Sequence, residues 1–235
     1  MDKCAELLKL VEKRRQRDIL PEYGRLADYG NGAFDVNCDY VSPYSKGAHN
    51  HDADVMIMLQ DWSSDDALRR SSGPSELGRD PNLPTNRTLD RLLSDTLGLR
   101  LEDTYATNLF PFIKGRGLST RIPFADLVLA AKEFALPQIR IVAPRLVVCL
   151  GKNTFNAIRV AASQNGLAHE SDRCRTMEDA INAAFTVELE GRKVAIWAQA
   201  HTGAWGQSNR NRGVPGRTSD DWMKMSLDVG LRAAR

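Results

Sequence analysis

Residues 55–59 read Val-Met-Ile-Met-Leu, five apolar side chains in succession, and the run stops at Gln60-Asp61. A run with neither the period of an amphipathic helix nor the alternation of a half-exposed strand reads as a strand buried on both faces. Such strands belong to mostly parallel sheets covered by helices on both sides. The abrupt polar stop puts an acid at the strand's C-terminal end. In open parallel sheets that edge binds ligands, because loops and unpaired backbone donors converge there. Asp61 also has a local reading, as the cap of the turn that follows.

The rest of the chain repeats the pattern. Thr104–Leu109 is a second short strand ending in Asn108, and Arg145–Leu150 is a third. Residues 186–198, broken at Glu190-Gly191, form a hairpin whose second arm, Lys193–Gln199, is the fourth strand of the core. Helical segments separate the strands. Cys4, Leu7, Leu8 and Val11 make one face of a helix over residues 3–17. Leu89, Leu92, Leu93 and Leu97 make another, with Thr85 as N-cap and Gly98 as terminator. Pro123 opens a helix to about Val142 that Pro137 must kink or divide, and Ser219 caps a closing helix. Strands alternating with helices imply a three-layer α/β/α sandwich around a central, mostly parallel four-stranded sheet. The expected organisation is a single domain over 1–235: an N-terminal helix and irregular lead-in to 52, a core over 53–206, and a basic loop with a closing helix over 207–235.

Composition narrows the function classes. A 42% hydrophobic and 26% charged chain is ordinary for a globular protein, and a formal charge of +2 is too mild to announce nucleic-acid binding by itself. With no apolar run near membrane-span length and no signal-peptide core, the expectation is an intracellular, cytoplasmic monomer. Cys4, Cys38, Cys149 and Cys174 have neither zinc nor iron–sulfur spacing, so no metal and no cofactor is expected. His49 and His51 read as loop histidines, without the acid or cysteine pattern of a metal site.

What stands out is the strand-end edge. Asp61, Asn108 and His201 fall at or just after the ends of three expected strands. The same edge collects two basic loops without acids: PFIKGRGLSTR with Lys114, Arg116 and Arg121, and HTGAWGQSNRNRGVPGR with Arg210, Arg212 and Arg217. A carboxylate, an amide and an imidazole ringed by phosphate-holding cations point to a reaction on a nucleic acid.

In these residues the chain resembles the uracil-DNA glycosylase superfamily. VMIMLQDWSS is similar to the first motif, an apolar strand followed by Gln-Asp-Pro-Tyr-His, and keeps Gln60 and Asp61. His201-Thr202-Gly203-Ala204-Trp205 stands where the last motif, His-Pro-Ser and a DNA-penetrating loop, is found. Between them, Asn108 in YATNLFPF resembles the asparagine that reads the base edge, and NLPTNRTLDRLL, with Pro84, Thr85 and Asn86, resembles the phosphate-gripping loop and helix. APRLVVCLG resembles the third βα unit, so the similarity spans roughly 53–206.

The resemblance implies a metal-free DNA glycosylase in which Asp61 positions water and faces the oxocarbenium, while a neutral His201 donates to the oxyanion of the departing base. Asn108 would orient the base, Gln60 would lend contacts beside it, and Trp205 would fill the stack vacated by the flipped nucleotide. Trp205 also has the plainer reading of a core tryptophan. Trp62 and Ser63 replace the Pro-Tyr pair whose tyrosine blocks a 5-methyl group in uracil-specific relatives, which leaves room beside the pyrimidine C5. The expected substrate is therefore a bulky C5-modified pyrimidine, such as the modified cytosines of some phages, with uracil as the runner-up should Trp62 swing into the space. A non-catalytic module for modified bases and a nucleoside hydrolase are the alternatives.

Overall fold

A computed structural model describes residues 2–36, 38–73, 75–169 and 171–231. Five strands form the central sheet: β1 Val55–Asp61, β2 Tyr105–Phe110, β3 Leu146–Leu150, β4 Phe185–Leu189 and β5 Arg192–Gln199. Their spatial order is β2-β1-β3-β5-β4, parallel throughout except for the antiparallel β4–β5 hairpin. The sheet thus has one strand more than the four expected. The extra strand is the hairpin's first arm, which adds to the edge with alternate residues buried and exposed, as an antiparallel strand with one solvated face does.

The side-chain alternation of β1 builds the three layers. Met56 and Met58 point into a core shared with Tyr105, Val147, Cys149 and Phe155, while Val55, Ile57 and Leu59 point into a second core with Leu89, Leu93 and Trp222. On the first side lie α1 Lys3–Gln16, α4 Phe124–Ala130, α5 Leu136–Val142 and α6 Lys152–Gln164; on the second lie α3 Pro84–Leu97 and α9 Arg217–Val229. Further helices are α2 Asp65–Arg69, α7 Met177–Asn182 and α8 Ala204–Arg210, besides the single turn Ala33–Val36.

Several expected boundaries shift for local reasons. Pro84 takes the first position of α3, where its fixed φ and missing N–H cost nothing, so Thr85 lies inside the first turn instead of capping it. Pro137 divides its helix as expected: a π-helical turn over Ala131–Ala135 separates α4 from α5, and the proline sits in the first turn of α5, where its missing donor is accommodated. Helix α9 begins at Arg217 after Gly216, so Ser219 is not its cap. Strand β2 runs on to Phe110, which leaves Asn108 inside the strand opposite Leu59. Among the described residues no helix is long and apolar enough to cross a membrane.

Candidate active site

The C-terminal ends of β1, β3 and β5 open into a cleft of about 950 Å³. Gln60, Asp61, Trp62, Ser63, Thr85, Asn86, Lys114 and His201 line it, although they come from four separate stretches of sequence. The long loop after β1 forms its outer wall through Ser71, Gly73, Ser75 and Gly78.

Asp61 is the last residue of β1, with its side chain 13% exposed. Gln60 Nε2 donates to its Oδ1 at 3.0 Å, and Lys114 Nζ pairs with its Oδ2 at 2.8 Å. Both oxygens are therefore oriented by donors, and the remaining lone pairs are left for a ligand or a water.

His201 follows the end of β5. Its Nδ1 accepts the Gly203 N–H at 3.0 Å, which assigns the ring proton of the neutral form to Nε2. The residue is open to solvent at the cleft mouth, yet enough protein surrounds the ring that desolvation lowers its pKa. The Asp61 carboxylate opposes that shift and the Lys114 ammonium reinforces it. The net result is a neutral imidazole with one N–H to give, close to a carboxylate with lone pairs to spare.

Trp62 is fixed in the wall. Its Nε1 donates to the Gly78 carbonyl at 2.8 Å, and its ring meets Phe34 edge to face at 5.9 Å. Gly78 has φ of +65°, and a Cβ there would lie 1.6 Å from the Pro43 carbonyl oxygen, so only glycine lets the loop dock and supply that acceptor. The swing of Trp62 into the space beside Ser63 is not the arrangement found.

Other expected contacts are placed differently. Asn108 is fully buried, the Ser42 hydroxyl donates to its Oδ1 at 2.6 Å, and its Nδ2 has no partner among the described residues. It does not line the cleft, because β2 continues past it for two residues. Asn86 lines the cleft but spends its amide internally, accepting from Tyr44 Oη at 2.8 Å and donating to the Asp80 carbonyl at 2.6 Å. Lys114 is an ion-pair partner within the cleft and not a free cation on the rim. Arg116 and Arg212 are exposed outside the cleft, Pro84 is exposed at the start of α3, and Trp205 is 83% exposed on α8, which rules out the core reading. The rings of His49 and His51 lie 6.2 Å apart, and among the described residues no three His, Cys, Asp or Glu side chains gather as metal ligands.

Arg210 is the clearest correction. Its guanidinium, 7% exposed, grips Asp221 through two nitrogens and also pairs with Glu178, so its donors are consumed in joining α8, α9 and α7. Removing one partner of a buried ion pair strands the others, so Arg210→Ala is expected to destabilise the protein by about 3 kcal/mol. Urea titration would register this as a lower midpoint at an unchanged slope. An unchanged midpoint would show that these ion pairs do not hold the three helices together.

Sequence reasoning missed Ser42, Tyr44 and Gly78, which support the site from behind. Ser42-Pro43 is a legible helix-start signal, and Ser42 does cap the short 3₁₀ turn Pro43–Gly47 by accepting from the Tyr44 N–H. Nothing local marks what that turn packs against.

Fold and site together define an α/β sandwich with a carboxylate and a neutral imidazole facing one strand-end cleft. No protein-family model matches the chain. A stretch of 68 residues is 34% identical to the Type-4 uracil-DNA glycosylase of Saccharolobus solfataricus; it covers 29% of this chain and 30% of that protein. The match thus spans less than a third of the curated relative, and it upholds the resemblance to the uracil-DNA glycosylase superfamily.

Proposed function

We propose that the protein is a monofunctional DNA glycosylase that hydrolyses the N-glycosidic bond of a flipped-out pyrimidine and leaves an abasic site. The observation that carries this reading is the pairing of Asp61 with an Nε2-protonated, neutral His201 in one cleft. Breaking the bond develops positive charge on the sugar and negative charge on the base. Asp61 orients the attacking water and faces the first; His201 Nε2–H stabilises the second, as a preorganised donor worth roughly 3 kcal/mol once bound DNA shields the cleft from water. The exposed Trp205 ring is suited to the vacated stack, and the exposed Arg116 and Arg212 to phosphates.

The preferred base in this reading is a bulky C5-modified pyrimidine, for example a hydroxymethylated or glycosylated cytosine of phage DNA, with a role in phage defence. A cleft of about 950 Å³ sits at the upper end of the 300–1,000 Å³ range of ligand pockets. Ser63 puts no ring beside C5, and the fixed Trp62 leaves the adjoining space to the small polar residues of the outer wall. Uracil is the runner-up, on the strength of the relative's printed activity.

A side-by-side assay in EDTA on uracil, thymine, 5-hydroxymethylcytosine and glucosylated cytosine in one duplex context, followed by alkali, tests both levels. Strand breaks on the substituted bases, selectively suppressed by Ser63→Tyr, are the expected outcome. Robust release of uracil alone defeats the substrate proposal. Binding without any cleavage defeats the enzyme and leaves a base-recognition module, while release of bases from free nucleosides only would leave a nucleoside hydrolase.

A further inference from the structure

We propose that Lys114 is a positioning residue for Asp61, setting the plane in which the carboxylate faces the reacting sugar; this rests on the glycosylase reading above. Three constraints converge on it. Its backbone is held from both sides, in antiparallel register with Tyr23 and in a parallel bridge to Ser64. Its side chain is only 7% exposed. Its ammonium is tethered twice, to Asp61 Oδ2 at 2.8 Å and to the Leu118 carbonyl at 2.5 Å.

A cation tied in this way cannot follow a mobile DNA phosphate, and its Nζ is held by two acceptors instead of being free for attack on C1′. What it can do is fix a neighbour. With Gln60 on Oδ1 and Lys114 on Oδ2, the carboxylate is gripped on both oxygens by charge-assisted or neutral hydrogen bonds from two different segments. Orientation of this kind matters because misplacing a reacting group by about 1 Å costs on the order of a hundredfold in rate. Lys114 also faces His201, where its charge disfavours the imidazolium while Asp61 favours it; Arg79, Asp80 and Lys152 line the farther walls.

The test compares Lys114→Met, Lys114→Arg, Asp61→Asn and the Asp61→Asn/Lys114→Met double variant with the parent. Single-turnover excision is measured on the preferred duplex, affinity on a duplex carrying a tetrahydrofuran abasic analogue, and folding by thermal melts. Lys114→Met is expected to lose about a hundredfold in rate with little change in affinity, and Lys114→Arg to recover most of it. The double variant should be no slower than Asp61→Asn, since Lys114 acts through Asp61. The acid limb of Lys114→Met should move to higher pH, because His201 loses the cation that helps keep it neutral. Parental rate in Lys114→Met, affinity falling in step with rate, additive losses in the double variant, or a Lys114-dependent adduct trapped by borohydride would each overturn the assignment. Parental rate in Asp61→Asn would take Asp61 out of the machinery and this inference with it, whereas absence of excision by the parent protein would overturn the glycosylase reading itself.

Discussion

Asp61→Asn is expected to fold and to bind DNA while losing at least about a hundredfold in single-turnover excision. The amide is nearly isosteric and still offers an oxygen to Lys114 or Gln60, so the wall of the cleft survives. In the proposed reaction, what goes is the negative charge facing the oxocarbenium and the acceptor that orients water, both of which matter only in the transition state. His201→Ala should lose about a hundredfold as well, by removing the Nε2–H donor. The pH dependence follows from the tautomer. His201 has its pKa lowered by desolvation, so the neutral donor persists at pH values where an ordinary histidine is already protonating. Excision should therefore hold down to mildly acidic pH and fall only as pH drops through that lowered pKa. Parental single-turnover rates in both variants would sink the assignment of the pair.

Gly206→Ala should cost a comparable amount without touching a reacting group. Helix α8 begins directly after the His201 loop, and a Cβ at Gly206 would lie 2.1 Å from the His201 carbonyl oxygen and 3.0 Å from its Cβ. Both neighbours are rigid, so the turn must shift, and the imidazole shifts with it. A displacement near 1 Å is enough for a loss on the order of a hundredfold. The global fold should stay, because α8 is peripheral to both hydrophobic cores. The measurement is excision rate against thermal midpoint: a large rate loss with a small change in midpoint is expected, and an unchanged rate would show that the turn yields without moving His201.

The order of elements was legible because it depends on local patterning. The unbroken run of β1, the leucine face of α3 and the left-handed Gly98 that ends it each carry their instruction within a dozen residues. Asp61 and His201 were legible for the same reason, since Asp61 ends a strand and His201 comes two residues after one. The exposed Trp205 was legible from its small, polar neighbours. Arg210 and Asn86 were not. Their types and spacing suit a phosphate, and only the packing of α7, α8 and α9, or of Tyr44 against α3, shows that their hydrogen-bonding groups are already spent.

Sequence alone thus determined that Asp61 and His201 reach the C-terminal edge of a covered parallel sheet, because strand period, polar stops and glycine turns act over short distances. Tertiary structure decided which of them face one another. Lys114 meets Asp61 across 53 positions of chain, held there by a strand partner at Tyr23 that lies 91 positions away. Asn108 sinks below the cleft because β2 runs two residues past it, to Phe110. Pairings of that kind are set by burial and by competition for donors among distant segments, and no window of sequence contains both partners.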